Sequence, residues 1–96
     1  MKYKIYQITN DDCEYKFDWW KLAKDQFNLE KDYEVVYEGE IEPAGGNDTA
    51  TLEELFTIFN VKHPEDFTGH SLSVSDVVEL DGVKYYCDSM GWEKLN

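Results

Sequence analysis

Cations are scarce in this chain: 9 lysines and arginines stand against 21 aspartates and glutamates, a formal net charge of -12. Direct contact with nucleic acid backbone or anionic lipid needs a cationic footprint, so neither class of partner is expected. Cysteine is also rare. Cys13 and Cys87 are too few for a disulfide scaffold and lack the spacing of a zinc or redox motif, which leaves reduced thiols as the default. No segment approaches the roughly 18 apolar residues of a membrane span. The start, Met1 to Ile8, has a basic opening but neither the apolar run nor the cleavage site of a leader. Internal repeats and low-complexity tracts are missing as well. These absences together predict a cytoplasmic, unexported protein without membrane contact.

What is present suits one domain spanning residues 1–96. A chain of 96 residues is too short to split into separate cores and should bury roughly two-thirds of its unfolded surface. An apolar fraction of 42% and an aromatic fraction of 16% supply that core, with Trp19, Trp20 and Trp92 among the bulkiest contributors. Net negative charge keeps such a domain soluble, and its natural complement is a protein with a basic surface.

Periodicity outlines the elements. Residues 2–9 alternate Tyr3, Ile5 and Gln7 against Lys4, Tyr6 and Ile8, which reads as a first strand. A helix is predicted from Asp18 as N-cap, with Trp20, Ala23 and Phe27 on one face and Trp19 and Leu22 widening it. Residues 33–42 form the cleanest strand: Tyr33, Val35, Tyr37, Gly39 and Ile41 should face a core while Glu34, Glu38, Glu40 and Glu42 face water. After a loop at residues 43–48, Thr51 and Glu54 make a capping box for a helix carrying Leu52, Leu55, Phe56 and Phe59. Asn60 and His63-Pro64 end it. Residues 77–80 and 83–88 read as a hairpin around an Asp81-Gly82 type I′ turn, and residues 92–95 as a last short strand. The predicted fold is α+β: four or five largely antiparallel strands with two packed helices. Tyr85 and Tyr86 are neighbours in a strand, so they must face opposite sides of the sheet.

Three constellations bear on chemistry. His70, Ser71, Ser73, Ser75 and Asp76 contain the residue types of a serine hydrolase. Triads, however, are assembled from distant segments, and no Gly-x-Ser-x-Gly elbow is present. Ser and Asp so close together more commonly bond nearby backbone. His63 and His70 with Glu65 and Asp66 match no metal-binding spacing. The chain is therefore read as non-enzymatic, with neither metal nor cofactor. Glu34, Glu38, Glu40 and Glu42 make an acidic stripe with neighbours about 7 Å apart. Duplex DNA carries one charge per about 1.7 Å of axis, so a phosphate-backbone mimic would need Asp11, Asp12, Glu14, Glu30 and Asp32 alongside.

Several stretches carry a resemblance: Tyr3-Lys4-Ile5-Tyr6-Gln7, Tyr33-Glu34-Val35-Val36-Tyr37-Glu38-Gly39, residues 51–59, His63-Pro64-Glu65-Asp66-Phe67, and above all Gly69-His70-Ser71-Leu72-Ser73-Val74-Ser75-Asp76-Val77-Val78. With these the chain resembles the YodL-like domain family of Gram-positive bacteria, their phages and conjugative elements. The resemblance implies a small accessory or inhibitor protein and supplies no catalytic set. Joined to the acidic charge, it leads to an expected inhibitor of a basic nucleic-acid-handling host protein, such as an anti-CRISPR or antirestriction factor. An inhibitor of the actin-like cell-shape machinery is the alternative. A hydrolase using the His70 loop is the third reading. The expected partner-binding residues are Glu34, Glu38, Glu40 and Glu42 on the strand, and His70, Ser71, Ser73 and Asp76 on the loop.

Overall fold

Alternating β-branched and aromatic residues near the N-terminus form β1 (Lys2–Ile8). The acidic segment forms β2 (Tyr33–Glu40). The C-terminal hairpin supplies β3 (Val77–Leu80) and β4 (Val83–Asp88), and β5 (Gly91–Lys94) completes the sheet. A computed structural model describes residues 1–95. All neighbouring strands pair antiparallel, in the order β2-β1-β3-β4-β5. Among the described residues three helices accompany them: α1 (Trp20–Ala23), the one-turn α2 (Leu29–Asp32) and the 14-residue α3 (Asp48–Val61). The α+β reading holds, with α2 added to the two expected helices.

Both faces of the sheet carry packed elements, the α1 face only over the part around Ile8, Val77 and Tyr86. Leu52, Leu55 and Phe59 of α3 pack against Tyr3, Ile5, Val78 and Leu80. On the other face, Tyr15 and Ala23 pack against Ile8, Tyr33, Val77 and Tyr86. Burial of Ile5, Leu52, Leu55 and Val78 is complete, and each such side chain stabilises the fold by about 1.5–3 kcal/mol relative to exposure. Two covered faces also resolve the tyrosine pair. Tyr86 lies beneath Trp20 and Phe27, while Tyr85 packs on the α3 side and donates to Asp48 at 2.5 Å.

Both helix starts differ from the pattern read in the sequence. Asn47 caps α3, its Oδ1 accepting from Ala50 N at 2.9 Å. Thr51 instead accepts from Ala44 N at 3.0 Å, which ties the preceding loop to the helix and removes it from capping. Asp18 does not cap α1 either. Trp19 occupies the cap position, and the Trp20 amide is satisfied by Asp88 Oδ1 at 3.1 Å, from the far end of β4. Trp19 and Leu22 do not widen the buried face: they stand 56% and 61% exposed.

The strand β2 carries a bulge. Ile5 pairs with Tyr37 but Tyr6 pairs with Val35, so Val36 is an extra residue in the ladder. One inserted residue reverses the in-out alternation on either side of it. Tyr33 is buried on the α1 face, Val35 is exposed, and Val36 and Tyr37 pack toward α3. The hairpin turn behaves as predicted. Asp81 and Gly82 have φ of 45° and 91°, the two positive values that a type I′ turn requires.

Candidate functional site

Gln7 is the polar member of an otherwise apolar set, since Tyr3, Ile5 and Gln7 share the α3 face of β1. Its amide is almost fully buried, so its hydrogen bonds must be made inside the protein. The loop at residues 69–76 makes them. Gln7 Nε2 donates to the His70 carbonyl at 2.8 Å and to Asp76 Oδ2 at 3.2 Å, and Oε1 accepts from His70 N at 3.2 Å. Such close wrapping explains Gly69, because a Cβ there would overlap Gln7 Oε1 and the Phe67 ring.

Asp76 sits at the bottom of this junction, 1% exposed. Its Oδ2 also accepts from Ser73 N at 2.8 Å. Burial pushes its pKa up to about 7, against the opposing pull of the Ser73 amide, Gln7 and Lys16. His70 Nε2 lies 3.8 Å from Asp76 Oδ1. Nδ1 lies 2.7 Å from the Ser71 carbonyl, a contact that fits a protonated Nδ1, and 3.3 Å from Gln7 Nε2, a contact that fits a bare one. Nε2 is the ring nitrogen turned to Asp76.

Ser75 joins the junction to the rest of the fold. Its φ is 82°, a left-handed value uncommon for a residue with a side chain. Its Oγ accepts from Phe17 N at 2.9 Å and its carbonyl accepts from Tyr33 Oη at 2.5 Å. Phe17 is itself at φ 70°. Its ring meets His70 edge-on with centroids 6.2 Å apart.

The structure thus brings His70 and Asp76 together through Gln7, and it places the serines differently. Ser73 Oγ donates to the Ser71 carbonyl at 2.8 Å, and Ser75 Oγ serves the Phe17 amide. Neither bond is the nucleophile-to-base contact of a hydrolase. Ser71 is exposed on the outside of the loop. His63 lies elsewhere, its Nδ1 2.9 Å from the Pro64 carbonyl. Among the described residues no group of three or more His, Cys, Asp or Glu is arranged to hold a metal.

The acidic stripe is split by the bulge. Residues paired across antiparallel strands share a face: Glu38 pairs with Lys4 and Glu40 with Lys2, whereas Glu34 pairs with Gln7 on the opposite face. Glu34 therefore does not continue the row of Glu38 and Glu40, and the single four-carboxylate stripe read from the sequence is corrected. The row is also partly neutralised. Glu38, Lys4, Glu79 and Lys84 follow one another across β2, β1, β3 and β4, with contacts of 3.8 Å for Lys4–Glu38 and 3.5 Å for Lys84–Glu79. This charged face borders an open groove of about 500 Å³ lined by Lys2, Lys4, Glu38, Glu40, Glu79 and Asp81. Exposed Glu42 lies just beyond β2. Asp32, which a longer acidic track would need, is turned inward and accepts from Tyr15 Oη at 2.7 Å and Asn10 Nδ2 at 2.6 Å. Burial works against its charge, but those two hydrogen bonds and nearby Lys31 prevail and lower its pKa.

Sequence reasoning passed over Gln7, Phe17 and Tyr33 as parts of this site. Gln7 had a signal, a polar residue on the apolar face of an alternating strand. Phe17 had none, since its role depends on a backbone angle.

A family model for the YodL-like domain matches residues 2–96. No curated protein and no solved structure matches the chain. The family match takes in β1 with Gln7, the bulged strand and the loop that closes over both. The chain belongs to the YodL-like domain family.

Proposed function

We propose that this protein is a non-enzymatic, acidic binding protein that inhibits or modulates a basic, nucleic-acid-handling host protein. The observation that carries the reading is the surplus of surface carboxylate. Of 21 Asp and Glu residues against 9 Lys and Arg, only Asp32 and Asp76 are buried. The remainder generate a field that attracts cationic surfaces and speeds encounter with them. Glu38, Glu40 and Glu42 at the rim of the open sheet face are the contact residues of this reading, with Glu34 reaching a partner only from the opposite face. Counter-defence, of the anti-CRISPR or antirestriction kind, is the setting in which such a small acidic protein would act.

Immobilised protein incubated with host lysate at low ionic strength tests it. A basic nuclease, restriction or other nucleic-acid-handling protein should be retained, lose activity when bound, and be released as salt rises. Loss of retention in Glu38→Lys/Glu40→Lys is the expected variant result. Retention of no basic protein, or equal retention by the variant, sinks the reading.

Membership in the YodL-like family supports a second reading, inhibition of the actin-like cell-shape machinery. Expression in a rod-shaped Gram-positive host should then widen the cells, and unchanged width counts against it.

A further inference from the structure

The order β2-β1-β3-β4-β5 leaves β2 and β5 as the outer strands of the sheet among the described residues. β5 offers four residues to a neighbour and β2 eight. An open strand edge is a row of backbone donors and acceptors able to pair with another chain, and natural proteins shorten, bend or charge such edges. β2 is bent at Val36, yet from Tyr37 onward its ladder with β1 is regular. Ile41 N donates to the Met1 carbonyl at 2.9 Å, and in an antiparallel ladder every second residue bonds to the same neighbour. Ile41, Gly39 and Tyr37 therefore bond inward to β1, while the N–H and C=O of Glu38 and Glu40 turn to the outer side.

Side chains along the same stretch sort by face. Glu38 and Glu40 are exposed on the open face, opposite Lys4 and Lys2. Tyr37 and Ile41 pack on the α3 side. Between them the Tyr3 ring covers Gly39, where a Cβ would lie 2.7 Å from Tyr3 Oη. On the open face the carboxylates of Glu38, Glu40, Glu42, Glu79 and Asp81 outnumber the ammonium groups of Lys2, Lys4 and Lys84 by five to three. Those lysines stand on β1 and β4, inward of β2, and no lysine or arginine occurs between Lys31 and Lys62. The surplus of negative charge therefore lies at the β2 edge.

We propose that the outer edge of β2 accepts an extended segment of the basic partner as an added antiparallel strand, a segment in which lysine or arginine alternates with apolar residues. This rests on the basic-partner reading above and supplies its mode of contact. Directly opposite residues of an antiparallel pair share a face, and in the bonded pairs they exchange both hydrogen bonds. The segment's residues opposite Glu38 and Glu40 thus bond to the edge and carry their cations to those carboxylates. Its intervening apolar residues extend the surface of Tyr37 and Ile41. Backbone bonds give such strand addition its affinity, and the alternating side chains give it selectivity. A second copy of this chain fits less well, because two β2 edges paired antiparallel would set glutamate against glutamate.

The test titrates short synthetic peptides into isotopically labelled protein at low ionic strength. An alternating Lys-Val peptide should shift the amides of residues 37–41 and slow hydrogen exchange at Glu38 and Glu40, and a Glu-Val peptide of the same pattern should do neither. N-methylation of the peptide's Lys residues removes the donors that face β2 and should weaken binding about tenfold or more, whereas N-methylation of its Val residues, whose amides face away, should leave binding intact. Glu38→Lys/Glu40→Lys should exchange the preference between the two peptides, with urea midpoints confirming that these exposed changes leave the fold intact. An equal effect of the two methylations would overturn strand addition and leave the basic-partner reading standing, because side-chain attraction alone survives N-methylation. Absence of shifts at residues 37–41 with the Lys-Val peptide would also overturn it, and retention from host lysate then still decides the basic-partner reading by itself. Concentration-dependent dimerisation that slows exchange at Glu38 and Glu40 without peptide would assign the edge to a second copy and overturn the proposal.

Discussion

The open sheet face and the Gln7–Asp76 junction both contain carboxylates near cations, yet they are built in opposite ways. On the open face Lys4 and Glu38 are 43% and 65% exposed and 3.8 Å apart. A pair of that kind contributes about 0–1 kcal/mol, since water and salt screen it and two long side chains must be held still. At the junction, buried Gln7 and Asp76 are satisfied by protein atoms alone. There the net value of each bond is modest, but removing one partner strands a buried polar group. The same residue types therefore serve as a removable field in one place and a structural lock in the other.

Four substitutions break or sharpen that contrast. The largest effect belongs to Asp76. Its folded pKa is raised from 3.8 to about 7, so between those values the folded state binds the extra proton and stability falls as pH rises. The contribution is fully present below the unfolded value, is lost as pH climbs through the folded one, and has a ceiling of roughly 4 kcal/mol. The opposing pull of Ser73, Gln7 and Lys16 is already contained in that shift. Urea unfolding at pH 5 and pH 8 should show Asp76→Asn gaining on the natural protein as pH rises. A constant difference would show that the folded carboxyl is already ionised at pH 5.

Gln7→Leu comes next. It leaves the His70 amide and carbonyl without their partner and takes a donor from Asp76, an expected loss of about 3 kcal/mol by chemical denaturation. An unchanged midpoint would reduce the junction to a surface contact. Gly69→Ala should cost about 1–3 kcal/mol by forcing a methyl group against Gln7 and Phe67. Its thermal midpoint should fall while Gly46→Ala, where no atom lies within 4 Å of the added carbon, is tolerated. Glu38→Gln should be smallest, within about 0.5 kcal/mol. A larger loss at low salt would make the open face structural after all.

Much of the fold was legible because it follows from local periods. Alternation located β1 and β2, Asp81-Gly82 located the hairpin, and the spacing of Leu52, Leu55 and Phe59 gave the buried face of α3. Capping was less legible because several side chains competed for it. Asn47 and Thr51 can both accept an amide, and the choice between them depended on Ala44 folding back. The site was legible only in part. His70, Ser73 and Asp76 were singled out from their types and proximity, and Asp76 was indeed bonded to its neighbour Ser73. Its second donor, Gln7, lies 69 residues away in sequence, and no local rule connects them.

The sequence by itself determined the class of the fold, the family and the excess of negative charge, because composition, periodicity and turn chemistry act over a few residues. Only the tertiary structure decided where that charge faces and which polar groups are locked inside. The bulge at Val36 turned Glu34 away from Glu38 and Glu40, and the closure of residues 69–76 over Gln7 buried Asp76. Facing is set by register across strands and burial by contacts between distant segments, and neither is a property of any short stretch of chain.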